Sequence, residues 1–198
     1  MSGTASEGDE AAAVRETVDD GPRFGFPQYL LVTLAGTFLL MLVGAYTKAI
    51  GAGLACPDWP QCYGVWVPFL SGEVMAEAPF TAHQIAAEWT HRGLAMVVGF
   101  AIIGAALWSW RRAARPAIRY ALYVAALILP LQVVFGALTV TEGLEPVIVT
   151  THLGTATVIL MALTVATTVA WLAPSGGADG HGGAVDAAAA DGGDAGDA

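Results

Sequence analysis

With 198 residues, 56% of them apolar and only 13% charged, the chain has too few polar residues to cover an ordinary soluble domain of its length. Its formal net charge of −9 argues against nucleic acid as a partner. The charges sit in clumps, and between the clumps lie four runs long enough to cross a bilayer, which takes about 20 mostly apolar residues each. In lipid the backbone must satisfy its own hydrogen bonds. The expected fold class is therefore all-α integral membrane, a four-transmembrane-helix bundle.

In chain order, residues 1–26 form an acidic tail, Glu7 to Asp20 carrying most of its charge. Such composition predicts a disordered, solvating segment and suits a salty cytoplasm. It is acidic rather than basic, so it does not read as a secretory signal. The membrane domain spans 27–172. Its first span runs from Pro27 to Ala52, with Phe24, Phe26 and Tyr29 at the interface where amphipathic rings settle. An outer loop, 53–82, is rich in Pro and Trp. The second span runs from Ile85 to Trp110 and meets the basic stretch Arg111, Arg112, Arg115, Arg119. The third span, Ile118 to Val140, contains Pro130, which is expected to kink it. A link from Thr141 to Pro146 leads into the fourth span, Val147 to Leu172. Residues 173–198 are a second acidic, Gly/Ala-rich disordered tail.

Arginine placement orients the chain. Arg15 and Arg23 precede the first span and four arginines join the second to the third, against Lys48 alone at the opposite boundary. The positive-inside rule predicts a multi-pass cell-membrane protein with both termini in the cytoplasm.

Two short echoes fall in the same order on helix pairs of the same direction. Gly44-Ala45-Tyr46-Thr47 matches Gly136-Ala137-Leu138-Thr139, and His91-Arg92-Gly93-Leu94-Ala95 matches His152-Leu153-Gly154-Thr155-Ala156. The pattern predicts a bundle built of two related hairpins.

His91 lies six residues beyond Ile85, and His152 six beyond Pro146. At 1.5 Å per residue both sit about 9 Å inside the outer boundary. Two level histidines on separate helices can clamp a haem iron. The plainer alternative is that each bonds a neighbouring carbonyl or hydroxyl. Glu88 precedes His91 by three residues and shares its face. Arg92 can pair with Glu88 at i, i+4, or with an acidic ligand group such as a haem propionate. Glu88 would then face the ligand as an acid/base group. Cys56 and Cys62 bracket Pro57-Asp58-Trp59-Pro60-Gln61 on the oxidising side. A structural disulfide is the first reading, a reactive redox pair the second. His83 reads as a solvated interfacial residue, and His181 as incidental.

At these residues the sequence resembles the haem A synthase family of cytochrome oxidase assembly. The resemblance lies in Gly53-Leu54-Ala55-Cys56-Pro57-Asp58-Trp59-Pro60-Gln61-Cys62, Glu88-Trp89-Thr90-His91-Arg92, Gln132 to Val140, and Thr151-His152-Leu153. It covers about residues 28 to 172. It implies oxidation of one methyl of haem O to a formyl group, giving haem A. The haem-iron ligands map onto His91 and His152, the acidic residue near substrate onto Glu88, and the outer-loop cysteine pair onto Cys56 and Cys62. Typical members have eight spans in two four-helix halves. A chain with one half implies a homodimer, and haem O synthase or oxidase assembly proteins become candidate partners. Two other functions stay open: a four-helix b-type cytochrome with fixed haem B, and a membrane thiol oxidase. The latter usually needs a second cysteine pair, and the chain has two cysteines in all.

Overall fold

The computed structural model describes residues 25–172. The two acidic tails lie outside this range, apart from Gly25 and Phe26. Four helices are long and apolar enough to span a membrane: α1 (Phe26–Ala49), α3 (Ala82–Arg111), α4 (Pro116–Thr141) and α5 (Pro146–Leu172). They correspond to the four expected spans. The described residues contain no strand.

Helix ends follow local chemistry. Pro27, Pro116 and Pro146 sit in the first turns of α1, α4 and α5, where a missing N–H leaves no bond unmade. α1 stops at Ala49, short of the expected Ala52. Gly51 takes a left-handed φ of 71°, and the Ala52 N–H returns to the Thr47 carbonyl at 2.9 Å. α3 starts at Ala82, nearly a turn before the expected Ile85. The Thr81 hydroxyl accepts from the Gln84 N–H at 3.3 Å, while the Gln84 side chain accepts from the Thr81 N–H at 3.1 Å. This capping box adds a polar turn that hydropathy alone does not show. α4 runs without interruption through Pro130.

The outer loop carries regular structure of its own. It holds a 3₁₀ turn, Pro68–Leu70, and a short helix α2, Gly72–Glu77, capped by Ser71.

The spans pack as a ring. α1 touches α3 and α5, and α4 touches the same two, so the diagonals α1/α4 and α3/α5 face each other across the axis. At the arginine end each span contributes one fully buried aliphatic residue: Leu30, Ile102, Leu122 and Leu163. The Phe26 and Tyr29 rings each meet Trp108 edge-on at 5.4 Å, and the Tyr29 hydroxyl donates to the Ala101 carbonyl at 2.9 Å. A second cluster lies under the loop, formed by Ala52, Ala55, Cys56, Cys62 and Ile85.

Candidate functional site

Between the two clusters the packing loosens. No described residue is buried between Thr37 and Thr47 on α1, between Glu88 and Val98 on α3, between Ala125 and Val140 on α4, or before Ile159 on α5. Four packed helices normally fill such a level with side chains. This loosely packed level, called the chamber below, holds both histidines.

The histidines are placed alike within their hairpins. A Cβ built on Gly44 of α1 would come 2.7 Å from His91 Cε1 of α3, and one built on Gly136 of α4 would come 3.2 Å from His152 Cε1 of α5. Each ring therefore lies on the glycine that heads its hairpin's repeated tetrapeptide, so the sequence echo is a structural equivalence. The earlier start of α3 changes the count from the helix ends, and the equal placement rests on this shared ring-on-glycine contact. Gly44 thus seats a side chain of the next span. It and Gly136 make room for imidazoles within the chain.

The Nδ1 atoms of both histidines are buried without a hydrogen-bond partner in the chain. Buried polar atoms are normally paired. Two such unpaired rings on diagonal helices suit a flat metal macrocycle held from both faces. The residues present fit haem.

Gln132 and Thr155 were not singled out by spacing, yet they belong to the site. Gln132 Nε2 lies 3.4 Å from His152 Nε2, and the Thr155 hydroxyl donates to Gln132 Oε1. Gln132 stands one helical turn before Gly136 and so shares its face, a signal available in sequence. Leu40 holds the corresponding position before Gly44. The two hairpins therefore differ at this position, with an amide beside His152 in one and a leucine in the other.

On the His91 side Glu88 is buried, with 6% of its surface exposed, and accepts from Arg92 Nε at 2.9 Å. The i, i+4 ion pair thus forms. Arg92 reaches further. One terminal nitrogen donates to the Asp58 and Gln61 carbonyls at 2.5 and 2.7 Å, and the other to the Cys56 carbonyl at 2.7 Å. Cys56 and Cys62 are joined by a disulfide, with Cα atoms 4.6 Å apart, so all three carbonyls belong to one short covalent ring. The ring is braced from both sides. The Asp58 carboxylate accepts from the Gly64 N–H, and Cys62 and Val65 exchange backbone bonds at 3.0 and 3.2 Å. Trp89 Nε1 donates to the Trp66 carbonyl at 2.7 Å, and its ring meets Phe69 edge-on. Burial pushes the Tyr63 hydroxyl's pKa up, and the Asp58 carboxylate adds to the effect. His83 is exposed and pairs with the Tyr46 hydroxyl at 3.1 Å, away from the chamber. His181 lies outside the described residues.

Two apolar grooves, of about 340 and 330 Å³, line lipid-facing seams nearer the arginine end. Neither touches a histidine. Polar groups converge on the chamber and not on these grooves, so the chamber is the better candidate.

Residues 27–188 match the cytochrome oxidase assembly protein family. Over 131 residues the chain is 37% identical to the haem A synthase of Shewanella oneidensis, covering 63% of this chain and 39% of that protein. Over 122 residues it is 34% identical to a protoheme IX farnesyltransferase of Halobacterium salinarum, covering 61% of this chain and 24% of that protein. A haem A synthase of Alkalihalophilus pseudofirmus is 31% identical over 145 residues, with 72% of this chain and 46% of that protein covered. The chain thus spans less than half the length of each of these relatives. No solved structure matches.

Proposed function

The chain belongs to the cytochrome oxidase assembly protein family, and on that premise we propose that it is a membrane oxidoreductase that oxidises a methyl of haem O to the formyl group of haem A. The observation that carries the reading is the chamber. Two histidines on diagonal helices, each ring seated on a glycine and each with an unpaired Nδ1, lie at one loosely packed level of the bundle. Haem is the substrate in this reading, and His91 and His152 are the residues that would hold its iron. His91 and His152 would set the plane of the bound macrocycle, and Glu88, one turn from His91, would stand beside it.

Glu88 is the catalytic group. It lies one turn from His91 on the loop side and is buried, where a carboxylate acts strongly on a nearby proton or water. Arg92 already makes four hydrogen bonds and keeps one of its five N–H groups for a propionate. The cysteine pair faces the oxidising side, where its disulfide persists. Both termini face the cytoplasm, as the arginine count requires.

Two partners follow. The chain covers 39% and 46% of two haem A synthase relatives, and a homodimer is proposed as the arrangement that brings two such four-helix units together. Gly44 and Gly136 are committed to imidazoles, so the dimer seam lies on other faces. Stretches like this chain also occur within proteins named for attaching a farnesyl group to protohaem. A farnesylated haem is the substrate proposed here, which supports a haem O synthase as a candidate partner.

The test is the pigment. Protein purified from cells that make haem O is expected to yield haem O and haem A on extraction. Haem B alone, with no conversion of added haem O, would make it a b-type cytochrome.

A further inference from the structure

We propose that Arg92 is a positioning residue: it ties the disulfide-closed ring Cys56–Cys62 to Glu88, so that the state of the outer ring sets where Glu88 stands beside the chamber. The proposal rests on the site reading above.

A guanidinium is flat, with its N–H groups in fixed directions. Holding its two terminal nitrogens therefore fixes the direction of the third. Here the terminal nitrogens are held by the carbonyls of Cys56, Asp58 and Gln61, and the third, Nε, donates to Glu88. Among the described residues Arg92 is the one hydrogen-bond partner of the Glu88 carboxylate. Glu88 is thus aimed by Arg92, and Arg92 by the ring.

Three carbonyls converge on one cation only while the backbone keeps its turn. The disulfide closes that turn, and the Asp58–Gly64 and Cys62–Val65 bonds hold its exit. The Arg92 side chain is only 13% exposed, so water has little access to replace a lost carbonyl. Trp89 pins the next stretch of loop from the same helical turn. Residues 88, 89 and 92 therefore couple the loop to the turn that carries His91. A Lys at 92 keeps the charge but has three donors on a single atom and cannot bridge the ring and Glu88 together.

The experiment uses the full-length protein in detergent and two readouts. In the first, a water-soluble phosphine opens the Cys56–Cys62 bond, and freed thiols are labelled over time. Arg92→Lys is expected to open roughly tenfold faster than wild type, since the lost bonds are charge-assisted. Glu88→Gln, which keeps the carbonyl contacts, is expected to stay within about twofold of wild type by the same reasoning. Arg92→Lys opening at the wild-type rate overturns the proposal. In the second, infrared difference spectra follow the carboxylate band that Glu88→Gln removes. Opening the disulfide is expected to shift this band in wild type and to leave it unmoved in Arg92→Lys. A band indifferent to the disulfide in wild type overturns the coupling. Neither readout needs turnover. A protein that shows both effects but converts no haem O would sink the proposed function while leaving the role of Arg92 standing.

Discussion

The ring-on-glycine contacts make a graded prediction. Ordinary carbon contacts begin near 3.4 Å, and a methyl on Gly44 would stand 2.7 Å from the His91 ring, roughly 0.7 Å too close. On Gly136 the methyl would stand 3.2 Å from His152, an overlap of about 0.2 Å. Gly44→Ala must therefore turn the His91 ring or part α1 from α3, at a cost of about 1–3 kcal/mol for overpacking. A ligand displaced by that much sits outside the tolerance of roughly 0.5 Å that a metal site allows. The expected result is loss or replacement of the low-spin haem spectrum in Gly44→Ala, with a weaker change in Gly136→Ala. Gly36→Ala is the control. Its methyl would lie 3.5 Å from a Val98 methyl, an ordinary contact, and alanine favours a helix interior by about 0.5–1 kcal/mol. The assay is the visible spectrum of purified protein, scaled to haem per polypeptide, with thermal unfolding alongside. An unchanged Gly44→Ala spectrum, or a larger effect at Gly136 than at Gly44, would refute the seating of the imidazoles.

Three further outcomes are expected. Replacing His91 or His152 by Ala shifts or abolishes the low-spin spectrum, and unchanged spectra in both variants would remove the ligand assignment. Glu88→Gln keeps haem O bound and stalls its conversion. Normal haem A output per folded molecule would reduce Glu88 to a partner of Arg92. In intact cells Cys56 and Cys62 label with an impermeant thiol reagent only after reduction, and ready labelling without reductant would defeat the disulfide and leave the outer placement standing.

Much of this protein follows from its sequence alone. Lipid offers no hydrogen bonds, so a run of apolar residues has to be helix, and the four spans are readable from composition. Their ends depend on side-chain contacts instead, which is why the Thr81–Gln84 capping box and the turn at Gly51 moved two boundaries. The histidines and the paired glycines were visible because a repeat writes the same residues at the same place twice.

What only the tertiary structure decided is of another kind. The partners of Arg92 are backbone carbonyls, which every residue carries, so no residue type announces them. They become a site only when the Cys56–Cys62 ring points three of them at one guanidinium. The loose packing around the histidines is likewise a property of four chain segments together and of none alone. Gln132 lies between these cases: its place one turn before Gly136 is in the sequence, but its approach to His152 needs α4 and α5 packed side by side.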